Sequence, residues 1–127
     1  MDFCGAYKGS SGLDSVRIRF SLAEDPPGKG KAASIFKEYR MGKAALAGVK
    51  VGVLYFECTS DKFSAGAGAT ILLRGEVRSR YETSEAEDAA RQDTLGVAYE
   101  SSRALAGLLV CKAGGGLPAS FTMPPEA

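Results

Sequence analysis

The chain has 127 residues, of which 16 are basic and 15 are acidic, and its net charge is +1. This length suits a single domain, and the balanced charge argues against a nucleic-acid binder, which usually carries a clear basic excess. The sequence contains no histidine, which excludes Ser-His-Asp and Cys-His nucleophiles and His-ligated metals. We therefore expect a protein that works by binding other proteins, without catalytic activity, cofactor or metal.

Three cysteines, Cys4, Cys58 and Cys111, are widely spaced along the chain. A disulfide framework normally has an even number of cysteines, and no pair here has the spacing of a metal site. The sequence therefore predicts reduced thiols, with Cys58 and Cys111 as small core residues in a reducing compartment. No apolar run is long enough to span a membrane, and the N-terminus lacks the pattern of a signal peptide. We expect a cytoplasmic protein without membrane insertion.

Residues 16–22 form the first predicted strand, because apolar and polar side chains alternate strictly along them. This pattern is typical of an antiparallel strand with one buried face. Residues 24–31 contain two prolines and two glycines and are predicted to form an exposed connection. Residues 34–46 are compatible with a helix or a strand, and a strand is favoured for residues 34–41.

Residues 49–58 and 69–82 are predicted to pair as a long antiparallel hairpin around a turn at residues 61–68. The first arm is apolar on both faces, so both faces must be covered, by helices or by a partner subunit. The second arm has one apolar face and one charged face. Mixed charge on one face is typical of a solvated sheet surface with cross-strand ion pairs. The charged face consists of Arg74, Glu76, Arg78, Arg80 and Glu82.

A long helix is predicted next, opened by a capping box of Ser84 and Glu87 and ended by the glycines at 114–116. Residues 117–125 contain three prolines and cannot be helical, so we expect an extended segment laid over the sheet or the helix. The sequence thus predicts an α+β domain, in which a twisted antiparallel sheet of about four strands packs with one long C-terminal helix.

This order of elements, over residues 45–125, resembles the core of the SecB-type chaperones. In that family a long helix follows the sheet and exits through a glycine and a hydrophobic-Pro element into an extended run that ends in proline. The chain departs from the family in being neutral rather than acidic, and residues 24–45 do not locate the family's crossover loop. The matching residues are Tyr99, Arg103, Gly115, Gly116, Leu117, Pro118, Phe121, Met123 and Pro124.

The resemblance implies a homotetramer, a dimer of dimers, that holds unfolded proteins on an apolar surface without ATP. The expected client- or partner-binding residues are Phe36, Tyr39, Leu117, Phe121 and Met123. The expected oligomer interface comprises Val51, Val53, Leu105, Leu108 and Leu109. For all ten residues the alternative is an ordinary place in the core.

Two other functions stay open. The first is that of a phage or mobile-element protein that binds one specific host or viral protein. The second, against which the charge balance argues, is weak binding of single-stranded nucleic acid. The residues that would serve it are Arg17, Arg19, Arg74, Arg78 and Arg80.

Overall fold

The computed structural model describes residues 16–26, 35–61, 69–79 and 86–127, and the backbone of residues 2–7. The described residues form one antiparallel sheet of six strands and one long helix, which confirms the predicted α+β class. In chain order the elements are β1 (Asp2–Tyr7), β2 (Val16–Ala23), β3 (Lys37–Tyr39), β4 (Ala44–Ala47), β5 (Val51–Ser60), β6 (Ala69–Ser79) and α1 (Glu87–Leu108), with a short 3-10 turn at Lys112–Gly116.

The strands are ordered β1-β2-β6-β5-β4-β3 across the sheet. Consecutive strands are neighbours everywhere except between β2 and β3, because β2 lies beside β6 while β3 forms the opposite edge. The connection at residues 24–36 therefore joins one half of the sheet to the far edge of the other half. This is the crossover of the fold, which the composition of the segment marked only as a loop.

The long hairpin is confirmed, since β5 and β6 pair along their whole length, from Val51 opposite Arg78 to Ser60 opposite Ala69. The residues of β5 that face α1 include Leu54 and Phe56, both 0% exposed. Val53 points to the opposite face by the alternation of strand side chains, yet it is only 1% exposed. The face of β5 toward α1 is thus buried within the single chain, whereas on the opposite face only Val53 is buried, Val51, Tyr55 and Thr59 are half-buried and Glu57 is exposed.

The helix packs on the sheet through a close approach at Gly52. A Cβ atom there would lie 2.6 Å from the carbonyl oxygen of Thr94 in α1, which is closer than real Cβ contacts come. The Thr94 hydroxyl in turn donates a hydrogen bond to the Gly48 carbonyl at 2.9 Å. The backbones of β5 and α1 are therefore in direct contact at Gly52, and a side chain at this position would push the helix away from the sheet.

We expect Gly52→Ala to lower the free energy of unfolding by about 2 kcal/mol, because overpacking forces backbone shifts. Gly107→Ala is the matched control: its Cβ would meet nothing within 4 Å, so it should stabilise α1 by about 0.5–1 kcal/mol. Urea unfolding of the two variants measures both effects. Equal and small changes would contradict the close approach.

The start of α1 differs from the predicted capping box. The helix begins at Glu87 and Ala86 is its N-cap, without a side-chain capping hydrogen bond, so Glu87 cannot hold the third position of a capping box as predicted; Ser84 lies outside the described residues. Glu87 and Asp88 do occupy the first turn, as predicted, where both pair with Arg91. The hydrogen bond from Arg91 lowers the pKa of Asp88. Acidic residues suit this end of a helix, and here they neutralise a cation one turn on.

The end of α1 also differs from the prediction, because the helix stops at Leu108, before the three glycines. Gly114, Gly115 and Gly116 all have positive φ, at 60°, 73° and 74°, in the following turn. A Cβ at Gly115 would lie 2.8 Å from the ring of Phe56. These glycines therefore turn the chain back onto the sheet rather than terminate the helix.

Cys58 on β5 and Cys111 just after α1 form a disulfide, with their Cα atoms 4.9 Å apart. This separation lies in the usual range for the bond. The prediction of reduced thiols is therefore wrong for these two cysteines, because the odd count came from Cys4, which lies outside the pair. The expectation of a reducing compartment rested on free thiols and loses that basis.

Candidate functional site

The chain after the glycine turn runs as an extended tail, residues 117–127, laid against α1 and the sheet. The Tyr99 hydroxyl of α1 donates a hydrogen bond to the Pro118 carbonyl at 2.5 Å. The rings of Tyr99 and Phe121 lie 5.5 Å apart between centroids, and Leu117 is only 5% exposed. The predicted extended segment over the helix and sheet is thus confirmed.

The end of the tail pairs with the edge strand β3. The Arg40 amide donates a hydrogen bond to the Pro125 carbonyl at 2.9 Å, and the Ala127 amide donates one to the Glu38 carbonyl at 3.0 Å. Glu126 lies opposite Tyr39 in an antiparallel bridge. The tail therefore covers this edge of the six-stranded sheet with an isolated β-bridge, held by two main-chain hydrogen bonds.

A cleft of about 750 Å³ lies between the β3–β4 hairpin and the tail. Residues 38–46 line one side, and residues 116–118, 122, 124, 125 and 127 line the other. Its volume is within the range of about 300–1,000 Å³ that ligand sites occupy. The walls combine apolar side chains with the charged residues Glu38, Arg40 and Lys43. The apolar lining includes Met41, Leu46, Leu117, Pro124 and Pro125.

The five predicted client-binding residues fall into three places. Tyr39 and Leu117 line the cleft, although they are only 7% and 5% exposed. Phe121 and Met123 are half-buried in the tail and pack against the core. Phe36 is half-buried outside the cleft, beside Gly48. The structure therefore brings Tyr39 and Leu117 to one site and places Phe36 elsewhere.

Several lining residues were missed because residues 34–46 have no clear period. The segment is a hairpin of two short strands turning at Gly42, which has a positive φ of 59°. A Cβ at this glycine would lie 2.5 Å from the carbonyl oxygen of Tyr55, so the turn also fits tightly against β5. Gly42 between two apolar alternations was the sequence signal that could have indicated Met41 as a lining residue.

The predicted oligomer-interface residues differ strongly in exposure. Leu108 is 75% exposed, whereas Leu105 and Leu109 are half-buried against the core and Val51 is half-buried in the sheet. Val53, as described above, is already covered within the chain. Val97 and Val110, which the sequence reading did not select, are 37% and 60% exposed. Of the five predicted interface residues, Leu108 alone is thus largely exposed.

The sheet face opposite α1 carries the charged side chains of β6. Glu76 accepts hydrogen bonds on both carboxylate oxygens, from Arg74 at 2.8 Å and from Arg78 at 2.6 Å. Burial alone would raise the pKa of Glu76, but the hydrogen bonds from Arg78 and Arg74 outweigh it, and the pKa is lowered from its ordinary value of 4.5. These ion pairs run along one strand instead of across strands as predicted, although Glu76 lies across from Arg19; Arg78 lies across from Arg17. Arg80 and Glu82 lie outside the described residues.

Within the described ranges, no group of three or more His, Cys, Asp or Glu residues could hold a metal ion. In the same part of the chain, no helix has the length and apolar character needed to cross a membrane. Comparison with protein-family models, with curated proteins and with solved structures finds no match to this chain. Its function must therefore be argued from its own residues.

Proposed function

We propose that this chain is a SecB-like, ATP-independent chaperone that holds an extended segment of an unfolded or specific partner polypeptide in the cleft beside β3. The observation that carries this proposal is the cleft itself, which has a partly apolar lining and lies beside the β3 edge; a client that pairs with β3 would take the place of the tail residues that now occupy this edge. Edge strands bind extended peptides through main-chain hydrogen bonds, and neighbouring pockets take alternate side chains. The tail, held on this edge by two main-chain hydrogen bonds, illustrates the mode in which a client would bind.

The architecture supports the same proposal. An antiparallel sheet, a long helix, a glycine turn with Leu117-Pro118, and an extended tail follow one another, as the resemblance to the SecB-type family implies. The connection between β2 and β3 crosses the sheet, and under this proposal it would correspond to the family's crossover loop.

The family resemblance also suggests a homodimer or homotetramer, and the exposed residues near the end of α1 would serve that contact. Leu108 and Val110 are the most exposed of them, at 75% and 60%. A partner subunit would bury apolar surface that is otherwise in water, a gain of about 25 cal/mol per Å². Native mass by light scattering distinguishes these assemblies from a monomer.

The location of the protein forms part of the proposal. The expectation of a cytoplasmic protein rested on free thiols, on the absence of a long apolar run and on an N-terminus without the pattern of a signal peptide, and the Cys58–Cys111 pairing removes the first of these arguments. Permanent disulfides are typical of oxidising compartments, and bonds that form in the cytosol are usually transient. Thiol alkylation of the freshly extracted protein would show whether the bond is present in the cell.

The test is suppression of aggregation of a denatured client protein by the full chain. Thr122 is exposed and lines the cleft, so Thr122→Trp should block it and weaken protection about tenfold, equivalent to about 1.4 kcal/mol of binding. Ser120→Trp is the control, because Ser120 is an exposed tail residue that does not line the cleft. If the wild-type chain gives no protection, or if both variants protect equally, the proposal fails. A stoichiometric complex with one target and no affinity for unfolded chains would favour the single-target alternative.

A further inference from the structure

The sheet face opposite α1 concentrates positive charge on two neighbouring strands. The register places Arg17 of β2 opposite Arg78 of β6, and Arg19 opposite Glu76. Arg74 and Arg78 share this face with Glu76, since they are two residues from it along the strand. The four arginines and one glutamate leave an excess of three positive charges, although the whole chain carries only +1. We call these four arginines the arginine face.

Two members of the arginine face, Arg17 and Arg19, form no ion pair among the described residues, although Arg19 lies across from Glu76. Glu76 already accepts a hydrogen bond on each carboxylate oxygen, from Arg74 and from Arg78. Arg17 and Arg19 are both exposed. The Arg17–Arg78 pair is moreover a like-charge pair directly across two strands, which destabilises a sheet by about 0.2–1 kcal/mol. The Arg17–Arg78 pair therefore does not stabilise the isolated chain, and binding of an external anion would reduce the repulsion between the two arginines.

We propose that the arginine face docks an acidic segment of a partner protein that carries carboxylates at alternate positions of an extended chain. Arg17 and Arg19 are two residues apart on one strand, about 6.6 Å by strand geometry, which matches the spacing of alternate side chains in an extended peptide. Guanidinium groups bind carboxylates through two parallel hydrogen bonds, with more directional preference than an ammonium group. The site lies apart from the cleft beside β3 and does not depend on the function proposed for that cleft.

The chemistry of this face favours carboxylates over a nucleic-acid backbone. Binding of single strands combines a basic groove with aromatic rings on which bases stack. Tyr55 is the aromatic residue on this face among the described residues, and the Arg74 guanidinium lies over its ring, 5.9 Å from the centroid, and donates a hydrogen bond to its hydroxyl. Glu76 also lies among the arginines, where it would repel a continuous row of phosphates. Spaced carboxylates can bind Arg17 and Arg19 without crossing Glu76.

The experiment measures binding of a fluorescent peptide with glutamate at every second position to the full chain, by anisotropy at low and at physiological salt. We expect binding that weakens as salt screens the charges. Arg19→Gln should weaken it about tenfold, the loss of one bidentate ion pair, and Arg17→Gln combined with Arg19→Gln should abolish it. Lys112→Gln is the matched control, since it removes one exposed positive charge elsewhere and should leave affinity unchanged. Circular dichroism confirms that each variant is folded.

Three results would overturn the proposal. One is the absence of peptide binding at low salt. Another is an equal loss of affinity in Arg19→Gln and Lys112→Gln, which would indicate attraction to net charge alone. The third is that an oligothymidylate probe binds through Arg19 while the acidic peptide does not, which would assign the face to nucleic acid. Aggregation suppression by Arg19→Gln should remain at the wild-type level, so failure here is distinguishable from failure of the chaperone proposal.

Discussion

Replacing Cys58 or Cys111 by serine should lower the free energy of unfolding by about 4 kcal/mol and the melting temperature by roughly 10–15 °C. The bond joins residues that are 53 apart in sequence, so it restricts a long loop in the unfolded chain. It also fastens the end of α1 to β5, where the Ser60 hydroxyl donates a hydrogen bond to the Leu109 carbonyl at 2.5 Å. Loss of the bond therefore acts on both the unfolded and the folded state.

Denaturant unfolding with and without reductant measures this effect. The reduced wild-type chain should match the double variant Cys58→Ser, Cys111→Ser, and reductant should not change the double variant. Cys4→Ser is the control, because it replaces a cysteine outside the bond, and it should change stability by less than about 1 kcal/mol. A wild-type chain that is equally stable with and without reductant would contradict the prediction.

The long elements of this fold were predictable because their patterns extend over many residues. β5, β6 and α1 have 10, 11 and 22 residues, enough for a period of two or of 3.6 to stand out from chance. The pairing of β5 with β6 followed from their adjacency in sequence. Their exact ends did not follow, since fraying and tertiary contacts decide where a strand or a helix stops.

The short strands could not be predicted in the same way. β3 has three residues and β4 has four, too few for a period to be recognised. Their hairpin depends on contacts distant in sequence, such as the fit of Gly42 against the Tyr55 carbonyl. The sheet consequently has more strands than the four or so expected, and the cleft that these two strands line was recognised only at Tyr39 and Leu117.

Pairings between distant residues were also beyond the sequence. The distance between Cys58 and Cys111 along the chain carries no information on their distance in space, so an odd count of cysteines was misleading. The charged residues of β6 were correctly assigned to one face. The like-charge opposition of Arg17 and Arg78, however, depends on the β2–β6 register, which no local pattern fixes. The disulfide and the arginine face thus both depend on tertiary contacts between residues that are distant in sequence.

Replacing Glu76 by glutamine should lower the free energy of unfolding at neutral pH by about 2 kcal/mol. The carboxylate is held by two arginines, and its side chain is only 11% exposed. Breaking a fully buried ion pair costs about 3–5 kcal/mol, and the value is smaller here because the Arg78 side chain is 60% exposed and solvent screens it. Glu57→Gln is the control: its pair with Lys43 is exposed on both sides, so the loss should stay within about 0.5 kcal/mol.

The pH dependence of unfolding tests the same prediction, because the direction in which stability changes with pH follows from the pKa of Glu76. The pKa of Glu76 is lower in the folded chain than its ordinary value of 4.5, so its stabilisation is fully present above that value. It is lost as the pH falls through the folded pKa, where the carboxyl group takes up a proton. The wild-type chain should therefore lose stability over this acidic range, and the difference between it and Glu76→Gln should shrink toward zero. A difference that stays constant into strong acid would contradict the role of the carboxylate.

Glu76→Gln should lower the stability of the chain but raise the affinity of the arginine face for an acidic peptide. Without the carboxylate, the four arginines form no ion pair within the described residues, and repulsion between them accounts for part of the lost stability. Added salt should therefore stabilise this variant more than the wild-type chain. An acidic peptide should bind the variant more tightly, because it supplies the charge that Glu76 no longer provides. Glu76 thus keeps the arginines ordered in the free chain at the cost of part of their attraction for an external anion.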